Sequence, residues 1–199
     1  MSDHYYSTNP QSQNVTETND YIVRNHSFTF TSASGVFSKK GIDFGTRLLI
    51  ETFEIPEVEG AVLDLGCGYG PIGITLAYHY EERSFVMVDV NERAISLAKK
   101  NANQNNSTNV AIKQSDGFTN IAEQSFAAII TNPPIRAGKK VINRLFAESS
   151  NHLVNGGELW IVVQKKQGAP SVIKYLQSIF HDVDVVTRKK GYYIICAKN

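Results

Sequence analysis

The 199-residue chain carries 42% apolar and 20% charged side chains and a net charge of +1, ordinary values for one globular domain that buries most of its unfolded surface. Apolar runs such as residues 126–130 and 159–163 are five residues long, far short of the about 20 a membrane helix needs. The polar start Met1-Ser2-Asp3-His4 lacks a signal-peptide core, so no membrane partner and a cytoplasmic location are expected. Two distant cysteines, Cys67 and Cys196, and five scattered histidines offer neither metal-ligand spacing nor a disulfide framework, so no metal is expected.

The small net charge conceals an asymmetry. Residues 1–131 hold 9 Lys/Arg against 15 Asp/Glu, whereas residues 132–199 hold 11 against 4. The basic part is either an unevenly decorated surface or a face for a polyanion.

In chain order, residues 1–20 are rich in Ser, Asn, Gln and Thr without apolar periodicity and read as a flexible arm. Alternation in Tyr21/Val23 and Phe28/Phe30 predicts a hairpin turned at Asn25-His26. Asp43 can cap a helix carrying Leu48, Leu49 and Phe53 that Pro56 stops. From there strands at 61–65, 85–88, 110–112, 126–130 and 158–163 alternate with helices at 72–80, after Asn91, at 139–153 and at 170–180. Two last strands, 183–187 and 192–197, are joined by the short loop Arg188-Lys189-Lys190-Gly191. This order predicts an α/β fold: a Rossmann-like, doubly wound seven-stranded sheet, mostly parallel with one antiparallel strand from the C-terminal hairpin. A small N-terminal extension, residues 21–56, joins it to make one domain over residues 21–199.

Asp64-Leu65-Gly66-Cys67-Gly68-Tyr69-Gly70 lies where the first sheet strand hands over to a helix, the end at which such sheets bind ligands. Gly68 to Gly73 also satisfies the dinucleotide pattern G-x-G-x-x-G, a weak signal alone. Asp64, two residues before the first glycine, suits a cationic ligand group better than a pyrophosphate. Asp89 ends the next strand, where a carboxylate can accept from both ribose hydroxyls of an adenosine. Asp116, in Ser115-Asp116-Gly117-Phe118, can accept from an adenine amine. Thr131-Asn132-Pro133-Pro134-Ile135 is the most specific motif: the Asn132 amide oxygen and the Pro133 carbonyl can both accept from one planar amine and align its lone pair, without a titrating base.

These motifs, in this order, resemble class I S-adenosylmethionine-dependent methyltransferases acting on amino or amide nitrogen. Gly35-Val36-Phe37-Ser38, Asp43-Phe44-Gly45, Asn155-Gly156-Gly157-Glu158-Leu159 and the closing hairpin narrow the resemblance to the methyltransferase-small family, whose best-known members methylate guanine N2 in small-subunit ribosomal RNA. The likeness covers about residues 20 to 199. It implies S-adenosylmethionine as cofactor, with Asp64 at its methionine amino end and Gly66, Cys67, Gly68 and Gly70 bordering it. Asp89 and Val90 would meet the ribose, Asp116 and Gly117 the adenine, and Asn132, Pro133 and Pro134 the target amine. Thr46 and Phe37 would close over the site, with Ile135, Arg136 and Lys139 toward the substrate, and the partner would be ribosomal RNA or the small subunit. Lys140, Arg144, Lys165, Lys166 and the 188–190 turn would contact phosphates.

Two features depart from the family pattern. Ile135 stands where many relatives carry an aromatic for base stacking, which then falls to Phe37 or Tyr69. Only about 55 residues precede the first sheet strand, whereas the two-domain guanine-N2 enzymes carry a further N-terminal domain. Rival readings are methylation of a protein glutamine amide, a nicotinamide oxidoreductase, which leaves Asp64 and Asn132-Pro133-Pro134 unexplained, and a silent RNA-binding module.

Overall fold

The structure is a computed structural model that describes residues 15–34, 36, 41–121 and 125–199. A hairpin of β1 (Thr16–Val23) and β2 (His26–Ala33) precedes α1 (Phe44–Thr52). Strands β3 (Ala61–Leu65), β4 (Phe85–Asp89), β5 (Val110–Gln114), β6 (Phe126–Thr131) and β7 (Leu153–Gln164) follow, with α2 (Pro71–His79), α3 (Glu92–Gln104) and α4 (Lys139–Asn151) between them. Then come α5 (Ala169–Leu176) and the closing strands β8 (Asp182–Lys189) and β9 (Tyr192–Lys198).

The seven-stranded sheet has the order β5-β4-β3-β6-β7-β9-β8. Its ladders are parallel from β5 to β7, and β9 runs antiparallel to both β7 and β8. Alternation along each strand divides the core in two: Val62, Met87 and Ile130 meet α1, α2, α3 and the hairpin, while Leu63, Val88 and Ile129 meet α4 and α5. The expected doubly wound sheet is therefore present. Chain order reverses between β3 and β6, which opens a crevice at their carboxyl ends.

Five expected boundaries move. Residues 16–20, assigned to the arm, belong to β1; its first five side chains are exposed, so backbone pairing with β2 holds the strand and leaves no apolar period to read. The hairpin turns at Arg24-Asn25, both at positive φ (48° and 62°), as a two-residue turn matched to strand twist requires. Arg24 tolerates this because its guanidinium anchors the hairpin to the end of α1, donating to Ile50 O at 2.8 Å and to Phe53 O. Helix α4 stops at Asn151 and α5 at Leu176, while β7 starts early at Leu153, with a register irregularity opposite residues 126–128.

The N-terminal hairpin is fastened to the sheet domain. Asn101 on α3 and Asn105, which caps its C-terminus, present their amides to the free edge of β2: each accepts a backbone N–H and donates to the carbonyl of Thr31 and Thr29 respectively, at 2.8–3.0 Å. Buried edge groups are thereby satisfied. No helix among the described residues is long and apolar enough to cross a membrane.

Candidate active site

A cleft of about 390 Å³ opens at the β3/β6 crevice, within the range of small-molecule sites. Its floor is the turn after β3, where Gly66 and Cys67 donate their N–H groups to Val88 O, both at 2.9 Å. Gly66 (φ +76°) and Gly68 (φ +57°) face open space: a Cβ on either meets no atom within 4 Å. The backbone is bare where a ligand would approach. Gly70 differs, because a Cβ there would strike Ile74 at 2.7 Å; it turns the chain into α2 and does not line the cleft.

Asp89 stands on the cleft wall beside Val90. Its Oδ2 accepts from Gly68 N at 2.9 Å and its Oδ1 from Asn91 N at 2.8 Å, so each oxygen keeps a lone pair for a ligand hydroxyl. Burial pushes the Asp89 carboxyl up, against the backbone N–H groups of Asn91, Gly68 and Val90. On the far wall Gly117 lines the cleft and Asp116 is ion-paired with Arg144 at 2.6 Å. Both side chains of that pair are substantially exposed, so it holds little energy and can open.

Asp64 lies beneath the glycine turn. Strand alternation puts it on the Val62 side, fully buried under α2, where Oδ2 accepts from Gly73 N at 2.8 Å and Oδ1 has no partner among the described residues. It does not line the cleft. Burial, with Asp89 nearby, raises its pKa from 3.8 to about 7. The carboxyl group therefore braces the turn from below through Gly73, with its second oxygen uncommitted.

Asn132, just past β6, reaches the opposite rim. Its Nδ2 donates to Thr46 Oγ1 at 2.9 Å, and Thr46 Oγ1 donates to Asp43 Oδ2 at 2.6 Å. Asp43 Oδ1 meanwhile caps α1, accepting from Gly45 N and Thr46 N. Thr131 Oγ1 donates to Leu65 O at 2.7 Å and locks β6 to the glycine turn. Pro134 lines the cleft and Pro133 does not. The Pro133 carbonyl accepts from Ile135 N at 2.8 Å and, like each Asp89 oxygen, keeps a second lone pair, while Pro134 shapes the wall.

The proposed substrate residues separate from the cleft. Ile135 packs against the α4/α5 half of the core, because residues 135–137 form a 3-10 turn that folds it inward. Arg136 and Lys139 are exposed on that turn and at the start of α4, outside the lining. Tyr69 does line the cleft but is 2% exposed with its ring edge-on to Phe30, so it offers no free face for stacking. Phe37 lies outside the described residues. Cys67 is buried and its thiol is held well above the ordinary cysteine range by burial and by Asp64 and Asp89, which disqualifies it as a nucleophile. Asp43, which the sequence marks as a helix cap and as part of Asp43-Phe44-Gly45, is a cleft residue, carried there by the packing of α1 on β7, β9 and α2.

Residues 27–196 match the methyltransferase small domain family. The chain is 59% identical over 199 residues to the Uncharacterized protein YbxB of Bacillus subtilis, covering 100% of this chain and 99% of that one. It is 33% identical over 175 residues to Ribosomal RNA small subunit methyltransferase C of Haemophilus influenzae, covering 86% of this chain and 51% of that one. Among solved structures, a T. thermophilus 16S rRNA N2 methyltransferase in complex with AdoMet and guanosine superposes with a TM-score of 0.80 at 21% identity, over 95% of this chain and 52% of that one. The chain thus spans about half the length of the ribosomal RNA methyltransferases it matches.

Proposed function

This chain belongs to the methyltransferase small domain family, and on that premise we propose that it transfers a methyl group from S-adenosylmethionine to an exocyclic amine, guanine N2 of small-subunit ribosomal RNA. The observation that carries this reading is Asn132: its nitrogen is committed to Thr46, which leaves its oxygen as an acceptor beside the glycine turn. The cleft fits the cofactor. Gly66 and Gly68 leave room that any side chain would fill, Asp89 keeps acceptor capacity for two ribose hydroxyls, and Asp116 and Gly117 stand where an adenine edge would lie. The bound cofactor supplies an electrophilic methyl on a sulfonium sulfur.

The chain's own contribution is positioning. The Asn132 oxygen accepts one N–H of the amine and turns its lone pair toward the methyl, and Pro134 keeps the wall rigid. As the nitrogen becomes positive in the transition state, that hydrogen bond strengthens, which is the differential binding catalysis requires. The proton leaves afterwards from an already cationic nitrogen, so no strong base is needed.

The RNA partner is supported by charge at the same end of the sheet. Lys165, Lys166, Arg188, Lys189 and Lys190 are exposed at the ends of β7 and β8. Lys165 N donates to Gly191 O at 2.8 Å, joining the two basic segments, and Lys190 Nζ lies 4.9 Å from the centre of the Phe44 ring, next to Asp43 on the cleft wall. Phosphates following this rim would enter beside the site. The test is labelled methyl transfer to isolated small subunits, together with RNA binding between 50 and 200 mM salt, a span over which several phosphate contacts cost orders of magnitude in affinity. The double variant Lys189→Glu/Lys190→Glu should bind RNA at least about tenfold more weakly with a flatter salt slope and bind S-adenosylhomocysteine normally. Label appearing on a protein, or RNA binding indifferent to salt, would overturn the RNA reading.

A further inference from the structure

We propose that Asp43 and Thr46 act as positioning residues that fix which end of the Asn132 amide faces the cleft. The inference rests on the function proposed above and adds a specificity device to it. A threonine hydroxyl carries a single proton, and Thr46 spends it on Asp43 Oδ2 at 2.6 Å, since an ionised carboxylate can only accept. Toward Asn132, Thr46 Oγ1 can then only accept. The amide end 2.9 Å away must be the Nδ2 donor, and Oδ1 must be the end left for the substrate.

Flipping the amide would set two oxygens against each other with no proton between them. Thr46 is 3% exposed, so water has little room to relieve that contact. The orientation is thus imposed from α1, 86 positions away in the chain, by the same carboxylate that caps the helix through Gly45 N and Thr46 N. Helix cap and amide lock are one object, and the extension before the sheet completes the site.

The consequence is selectivity by chemistry. A rim that only accepts favours a group presenting an N–H and repels one presenting a lone pair, such as a carbonyl oxygen or an unprotonated ring nitrogen. Thr46, which also lines the cleft, is the link between carboxylate and amide.

Three variants separate this from a structural role. Thr46→Val keeps the shape and removes the lock; Thr46→Ser keeps the hydroxyl. Asp43→Asn keeps a good helix cap yet can donate to Thr46, which lets Thr46 donate onward and turns the Asn132 oxygen inward. Thr46→Val and Asp43→Asn should lower kcat by about 10- to 100-fold, less than the roughly 10²- to 10³-fold expected for removing a preorganised donor or acceptor outright. Thr46→Ser should restore the native rate.

A second readout needs no turnover. The Asn132 side-chain amide protons, followed by nitrogen-15 NMR, should be protected from exchange in the native chain and in Thr46→Ser, and lose protection in Thr46→Val. Native kcat in both Thr46→Val and Asp43→Asn, or unchanged Asn132 protection in Thr46→Val, overturns the lock. Should Thr46→Val not fold, Asp43→Asn decides. Absence of methyl transfer by the native chain would refute the proposed function alone and leave the lock to be judged by the amide protons.

Discussion

Alanine at Gly68 distinguishes a glycine needed for folding from one kept clear for a ligand. The residue sits at φ +57° with no atom within 4 Å of a prospective Cβ, so Gly68→Ala meets no steric obstacle from the protein. The remaining cost is the left-handed backbone, roughly 1 to 2 kcal/mol for a residue with a Cβ, a fall in Tm of about 2–8 °C for a chain of this size. If the cofactor packs against this backbone, the same methyl occupies its space, and S-adenosylhomocysteine affinity should fall at least about tenfold, or 1.4 kcal/mol. Gly168→Ala is the control: φ is +97°, space is likewise open, and the position lies outside the cleft lining. It should lose stability and keep affinity. Calorimetric titration of both variants, with thermal melts, measures the two effects separately. Equal affinity for native chain and Gly68→Ala, with a lowered Tm, would refute the placement of the cofactor on this turn.

Asp89→Ala removes acceptors worth roughly 1.5 to 3 kcal/mol each when charged, so S-adenosylhomocysteine affinity should drop at least about tenfold, along with some stability as Gly68 N and Asn91 N lose their partner; titration and a melt check both. Asp64 is held up to about 7 from 3.8, so the folded chain binds that proton more tightly than the unfolded one, and the stability it contributes is full at low pH and lost as pH rises from about 4 to about 7. Denaturant unfolding at pH 5 and pH 8 should therefore show the native chain losing up to about 3 kcal/mol relative to Asp64→Asn, at roughly 1.4 kcal/mol per pH unit; a parallel pH dependence would contradict the burial argument. Cys196 is pushed up to about 12 and Cys67 well above its ordinary range, so Cys67→Ser and Cys196→Ser should retain methyl transfer, measured with labelled cofactor.

The sheet was legible because its signals are local. Each strand from β3 to β7 contains a short apolar stretch, and the turn at 66–70 carries three glycines at positive φ. The burial of Asp64 was legible too: a period of two puts it on the same face as Val62, under α2. Ile135 sits half-buried on a 3-10 turn after the prolines and packs against the α4/α5 half of the core, which composition does not announce. The Asp43, Thr46 and Asn132 chain was out of reach, since a hydrogen bond across 86 positions leaves no periodic trace. The exposed half of β1 was invisible for the opposite reason, being held by backbone pairing with little side-chain burial.

The central claim is methylation of an exocyclic amine on small-subunit RNA, and nucleoside mass spectrometry tests it most directly. Small-subunit RNA from cells lacking the protein, incubated with the native chain and isotopically labelled S-adenosylmethionine, is digested and its modified nucleosides are separated. The expected result is label in N2-methylguanosine, gained with the native chain and reduced roughly 10²- to 10³-fold in rate with Asn132→Ala, whose cofactor binding survives. Label on carbon 5 of a pyrimidine, label confined to protein, or native turnover by Asn132→Ala would contradict it.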